Sequence, residues 1–234
     1  MKSSKPLGGK TYGSIAHLPG SRLGVGDKRL NEGQTRILTE KVRDKHDKII
    51  IREKVDGTCV AVAKIHGEIV PLVRSGYTAI SSPHEQHALF HDWVLSYRER
   101  FDSLLQPGER ICGEWLAMAH GINYKLPHEP FVVFDIIRDG KRVLNEEFVD
   151  RTSRFIRASL IHIGGALSID KLKPFLENSS HGAIEGAEGA VYRVERKGVV
   201  DFLGKWVQPW HECGKYFSDN PDELIWNWRP EQTV

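Results

Sequence analysis

The sequence predicts an α+β fold with mainly antiparallel sheets flanked by helices. Three observations carry that expectation. Short β-branched runs at 48–54, 58–65 and 68–74 are separated by Asp56-Gly57 and His66-Gly67, both hairpin signals. Helical spacing is confined to a few stretches. Regular βαβ alternation is absent, and so are GxGxxG and P-loop motifs, which disfavours a doubly wound dinucleotide-binding sheet or a P-loop fold.

Taken in order, residues 1–33 are rich in Gly, Ser and Pro and read as loop, with Tyr12, Ile15, Leu18 and Leu23 giving the segment something to pack. Residues 35–46 read as a short helix or an irregular lead-in. After the three strands, 83–105 has helical spacing through Leu89, Trp93, Phe101 and Leu104, and Pro107-Gly108 ends it. Stretches 110–118 and 131–137 read as buried strands. Residues 145–159 read as a helix capped by Asn145, with Glu146 and Glu147 in its first turn, and 170–176 as a shorter one. Strands at 189–195 and 199–207 meet at Lys197-Gly198. The end, 208–234, has Trp210, Trp226 and Trp228 but no period.

The chain has 234 residues, 40% hydrophobic and 27% charged, ordinary for one sizeable globular domain, and the reading is a single domain over 1–234. With 33 basic and 31 acidic residues the net charge is +2, so any polyanion site must be a local patch. Three scattered cysteines and no CxxC argue against a disulfide framework and for a reducing, cytoplasmic or otherwise intracellular compartment. Residues 1–10 lack the apolar core of a signal peptide, and no run approaches the roughly 20 apolar residues that span a membrane.

The chemistry gathers around Glu53-Lys54-Val55-Asp56-Gly57-Thr58. An amine stands at the end of the apolar run 49–51, and a glycine beyond it lets a phosphate approach the backbone. Alone, KxDG is equally a solvated lysine before a turn. Later strands carry more polar groups where burial would be costly without a partner: Arg74, Glu114, Asp135 beside Phe134, Glu188 and Lys205.

That ordered set resembles the covalent nucleotidyltransferases: ATP-dependent DNA ligases, RNA ligases and capping enzymes. Within them it most resembles the RNA ligase 2-like family. The resemblance runs from about Tyr12 to Pro209 and includes His17-Leu18-Pro19-Gly20-Ser21-Arg22, 37–41 and His120-Gly121-Ile122-Asn123-Tyr124. Glu53 and Thr58 match the EKxxGT form of RNA ligases, whereas Asp56 is the DNA-ligase-like choice. Cys59 stands where these families carry arginine or asparagine. The family often shows KxK in its last motif, and here 202–207 has a single lysine, Lys205; Arg193, Lys197 or a metal are the candidates for the cation missing at one flank.

The resemblance implies a nucleotidyltransferase (adenylation) fold and an ATP-dependent polynucleotide ligase core, with RNA ends or nicks as partner. Lys54 would form lysyl-AMP, transfer AMP to a 5′-phosphate and seal it to a 3′-hydroxyl. Glu53 would help position adenosine, Arg74 contact the sugar or incoming phosphate, Glu114 the ribose hydroxyls, and Phe134 stack on adenine, with Phe131 as the alternate. Glu188 would bind Mg²⁺ or Mn²⁺, and Lys205 would neutralise the α-phosphate. Only 29 residues follow Lys205, so no C-terminal OB-fold is expected, and end-joining calls for an accessory protein or local patches. The alternatives are a DNA ligase, a GTP-dependent capping-type enzyme, or a nucleotide-binding module without turnover. Oligomeric state is not legible.

Three other features have bland readings. His84, His87 and His91 share one helix face but lack a completing ligand, so they read as a polar face. Lys171, Lys173, Arg151, Arg154 and Arg157 read as solvated charge rather than a phosphate-tracking patch. The tryptophans at 206, 210, 226 and 228 read as packing for the C-terminal tail rather than a base-stacking platform.

Overall fold

A computed structural model describes residues 5–230. The chain forms two compact units. Among the described residues one comprises 5–13, 58–118 and 130–157; the other comprises 14–57, 119–129 and 158–230.

The first unit holds a six-stranded sheet. Its path is β4 (Glu68–Val73), β3 (Thr58–Ile65), β5 (Arg110–Trp115), β6 (Phe131–Arg138) and β7 (Lys141–Arg142), all antiparallel, with β8 (Ile156–Arg157) parallel to β6. His66 and Gly67 have φ of 50° and 82°, and Asp139 and Gly140 49° and 74°, the left-handed pairs that two-residue hairpins require. They close β3–β4 and β6–β7. Helices α2 (Glu85–Ser96) and α3 (Arg98–Leu104) contribute Phe90, Trp93 and Phe101, which pack with Trp115 and Phe131 into an aromatic core. The expected single helix over 83–105 is thus broken at Tyr97, where φ of −111° departs from helical values.

The second unit holds a five-stranded sheet of order β1 (Ala16–His17), β11 (Val199–Val207), β10 (Gly189–Arg196), β2 (Asp47–Lys54) and β9 (Leu160–Gly164). Helix α1 (Glu32–Thr39) starts at a capping box, Asn31 accepting from the Gln34 amide. Ile49, Ile51, Ala190, Tyr192, Val194 and Trp206 alternate onto one sheet face and pack against Leu38, Leu172 and Leu176 from α1, α5 (Ile169–Leu172) and the turn that follows. Lys197 and Gly198, φ 48° and 78°, close β10–β11.

Several expectations need correction. Asp56-Gly57 closes no hairpin, because β2 and β3 belong to different sheets. Asp56 is engaged by distant residues instead of a local turn. Strand β5 stops at Trp115 rather than 118. Helix α4 (Asn145–Arg151) is capped by Leu144 and ends eight residues before 159. Residues 170–176 split into a turn of α-helix and one of 3₁₀-helix. Within the lead-in 1–33, His17 is a strand residue, while Tyr12 and Leu18 are buried as expected. The expectation about a leader at 1–10 and the outer limits expected for a 1–234 domain fall in part on residues outside those described. No helix among the described residues is long and apolar enough to cross a membrane.

Candidate active site

Strand alternation decides which side chains can meet. In the second unit Lys54 pairs with Gly189 and Gly189 with Val207, while Val191 pairs with Lys205. Residues two apart share a face, so Lys54 and Lys205 lie on the same face of the sheet. Glu53, opposite Ala190, lies on the other. Gly189 is forced by the close approach of β11, since a Cβ there would stand 2.0 Å from the Trp206 carbonyl oxygen.

Glu188 precedes Gly189, and its carbonyl accepts from the Gln208 amide at 2.8 Å. This brings its carboxylate to the end of β2, where Lys54 Nζ donates to Glu188 Oε2 at 2.6 Å. The Lys54 side chain is 22% exposed and Glu188 only 5%. Burial pushes the Glu188 carboxyl above the ordinary range and Asp56 adds to this; Lys54 and His211 offset it only in part.

Two residues beyond Lys54, Asp56 is held from several sides. Its Oδ2 accepts from the amides of Gly121 at 2.5 Å and Ile122 at 3.0 Å, and its own amide donates to the Tyr124 hydroxyl at 2.8 Å. His211 Nε2 faces the same oxygen at 3.6 Å. Burial works to raise the Asp56 carboxyl, but His211, the charge of Lys54 and the Gly121 amide outweigh it and hold it low. Among the described residues, Asp56, Glu188 and His211 are the group able to hold a metal ion, one ligand atom from each lying within 4.8 Å of the others. His211 Nε2 is buried and makes no hydrogen bond. Two carboxylates and an imidazole nitrogen without a hydrogen bond fit a divalent cation.

Lys205 Nζ stands 4.0 Å from Asp27 Oδ1. The other Asp27 oxygen takes His17 Nε2 at 3.0 Å, and His17 Nδ1 meets Ser21 Oγ at 2.7 Å. Glu53 accepts from the Ser179 hydroxyl and from the Ser180 amide at 3.1 Å, and burial raises its carboxyl. Beside it, His181 Nδ1 meets His128 Nε2 at 2.8 Å, and His181 Nε2 meets Ser159 Oγ at 3.1 Å.

Arg74, Glu114 and Phe134 belong to the first unit. Arg74 follows β4, exposed, its carbonyl accepting from the Thr11 amide. Glu114 lies in β5 directly opposite Cys59 of β3. Phe134 is half-buried with Tyr12 edge-on at 4.9 Å, whereas Phe131 is fully buried in the aromatic core. Of the candidates for the missing cation, Arg193 is paired with Glu195. Lys197 sits at the far turn of the β10–β11 hairpin, about 25 Å of strand from Gly189. The basic residues at 151 and 173 are engaged by Glu109 and Asp170.

Sequence reasoning missed His211, Ser179 and the Asp27–His17 pair. The segment 120–124 was visible as a motif, and the structure gives it a task in seating Asp56. The tail that brings His211 has no period, but its contacts are specific: the Tyr216 amide donates to the His120 carbonyl, and Ala119 to that of Ile225.

Comparison with known proteins agrees with this geometry. No curated protein matches the chain. Solved structures share its fold: an Aquifex aeolicus protein assigned as an ATP-dependent DNA ligase, 19% identical with TM-score 0.53 over 84% of this chain and 49% of its own; a Naegleria gruberi RNA ligase with pyrophosphate, 15% identical with TM-score 0.56 over 82% and 59%; and the K326A mutant of that ligase with ATP and Mn, 14% identical with TM-score 0.55 over 85% and 61%. The chain therefore spans about half to three fifths of their lengths. The RNA ligase family model matches residues 47–207, from the first residue of β2 to the last of β11, and the chain belongs to the RNA ligase family.

Proposed function

We propose that the chain is the adenylation core of an ATP-dependent RNA ligase, one nucleotidyltransferase domain over 1–234, with Lys54 as the residue that takes AMP. One observation carries this reading: a lysine amine at a strand end, partly exposed and 2.6 Å from a buried carboxylate, two residues before an acid seated by two backbone amides.

The neutral amine attacks the α-phosphorus of ATP. A nitrogen–phosphorus bond forms, the bond to the bridging oxygen breaks, and pyrophosphate leaves. Glu188 Oε2 is placed to accept the proton that the amine sheds. Lys205, on the same sheet face, supplies a fixed cation to the phosphate oxygens, and its own position is set by Asp27. Glu53 acts on adenosine indirectly, by anchoring the 179–181 loop at the end of β2. Arg74, Glu114 and Phe134 contact the sugar or incoming phosphate, the ribose and the adenine. A divalent ion, Mg²⁺ or Mn²⁺, bound through Glu188 supplies charge neutralisation at the phosphates. AMP then passes to a 5′-phosphate and is displaced by a 3′-hydroxyl, with RNA told from DNA by its 2′-hydroxyl and A-form shape. The partner is RNA ends or nicks, with an accessory protein for end-joining. The compartment is cytoplasmic, supported by three free cysteines.

Incubation with α-labelled ATP and a divalent ion is expected to label the protein, and Lys54→Ala to abolish the label while the chain still unfolds cooperatively as a folded protein. Label retained in Lys54→Ala would remove the nucleophile assignment. A nucleotide-binding module without turnover is the second reading, favoured by Cys59 and by the single lysine, Lys205, of the last motif; tight ATP binding without any adduct selects it.

A further inference from the structure

The cluster at the end of β2 contains one group that the ligase reading leaves without work. His211 is 5% exposed, and its Nε2 is buried without a hydrogen bond, 3.6 Å from Asp56 Oδ2. That separation is too long for a hydrogen bond. It falls between the spacings of about 3 Å for adjacent and about 4.2 Å for opposite ligands on a six-coordinate ion with roughly 2.1 Å bonds.

The approach is built in. A turn from Gln208, whose carbonyl accepts the His211 amide at 3.1 Å, swings the ring back over the sheet end. Gly121 leaves the space for it: a Cβ there would meet His211 Nε2 at 2.5 Å and Asp56 Oδ2 at 3.1 Å. The same glycine donates its amide to Asp56. One residue thus both seats the aspartate and admits the imidazole.

We infer that Asp56, Glu188 and His211 ligate one divalent cation directly, and that the nitrogen ligand makes the site take a first-row transition ion in preference to Mg²⁺. Mg²⁺ selects oxygen ligands and gives up water reluctantly, whereas imidazole suits transition ions. Mn²⁺ is the strictest probe, because its oxygen preference lies nearest to that of Mg²⁺. The inference deepens the ligase reading, on which its place in catalysis rests. Lys54 shares Glu188 with the ion, so the two compete for one carboxylate.

The test is pulsed electron paramagnetic resonance on the full chain, free of nucleotide, with MnCl₂ and a tenfold excess of MgCl₂. One bound Mn²⁺ with imidazole-nitrogen coupling is expected. His211→Ala should lose the coupling and bind Mn²⁺ at least tenfold more weakly, while Lys54→Met, which removes the competing ammonium, should bind it more tightly. Mn²⁺ without nitrogen coupling, or equal affinity in His211→Ala, overturns the inference. If His211→Ala does not fold, the wild-type spectrum alone decides, coupling supporting the site and its absence overturning it. Lysine labelling by ATP is scored separately. Label without nitrogen-coupled Mn²⁺ sinks the inference and leaves the ligase reading standing; coupled Mn²⁺ without label does the reverse.

Discussion

Each unit buries a carboxylate, and the two are treated in opposite ways. In the first unit Glu109 is met by Arg151 Nη2 at 2.5 Å, Arg138 Nε at 2.7 Å and the Gln106 amide at 2.9 Å. Burial works to raise its carboxyl, but these donors overcome the penalty and hold it at about 2. In the second unit Glu188 is as little exposed but lies deeper from solvent, has Lys54 as its ion-pair partner, and ends above the ordinary range, burial being the largest cause. Asp135 in the first unit is also met by more than one donor, the Tyr12 hydroxyl at 2.6 Å and Arg142 Nε at 3.0 Å. Glu109, buried for architecture, is compensated by several donors; Glu188, buried for chemistry, is left short, so that substrate or metal completes it, while Asp56 beside it is held low against burial by His211, Lys54 and the Gly121 amide.

The contrast is sharpest under neutral replacement. Glu188→Gln keeps the shape and removes a charge that the folded state bears at a cost. Its expected effect is a loss of lysine labelling by about 10³-fold, roughly 4 kcal/mol of barrier, with a melting temperature unchanged or higher. Single-turnover labelling and calorimetry measure the two halves. A large fall in stability with labelling intact would put Glu188 in the architectural class.

Glu109→Gln should give the mirror image. It takes the buried charge from between Arg138 and Arg151, which keep only Glu147 as an acidic partner, and breaking one partner of a buried pair costs about 3 kcal/mol. Urea unfolding should show that loss, while labelling per folded molecule stays within about twofold of wild type. If labelling falls as stability does, the division between the two clusters is wrong.

How much of this could be read from the chain follows from the range of the interactions. Strands and hairpins were legible at 58–73 and 189–207 because β-branched runs and the His66-Gly67 and Lys197-Gly198 pairs are local signals. The capping box at Asn31 and Gln34 was equally local and passed unread. Asp56-Gly57 misled because the aspartate, which looked like a turn residue, is held by amides 65 and 66 positions away. The order Lys54, Glu188, Lys205 was legible as a family pattern, and strand register then explains why the two lysines share a face. His211 was illegible: nothing in the aperiodic tail says that it returns to Asp56. Cys59, which fits no family pattern, lies opposite Glu114 in β3–β5.

Acid separates the two units once more, by a smaller margin. Burial, with His128 adding to it, lowers His181 from the ordinary 6.5 to about 4. The unfolded chain therefore binds a proton that the folded protein refuses over that interval. The stability this group contributes is full above about 6.5 and is lost as pH falls toward 4, by about 2 kcal/mol between pH 7 and pH 5. His17 and His120, lowered by burial, act in the same direction, while Glu53 and Glu188, raised by burial, oppose it. Glu109 contributes no slope there, because its stabilisation is lost only below the unfolded carboxylate range of about 4.3. His181→Gln removes one titration and keeps a group able to bond Ser159 and His128, so the difference between variant and wild type isolates it. Urea unfolding at pH 7 and pH 5 should show the variant losing about 2 kcal/mol less than wild type over that interval. Equal losses would mean that the His128–His181 pair takes up its proton without opening, and that the second unit tolerates acid as well as the first.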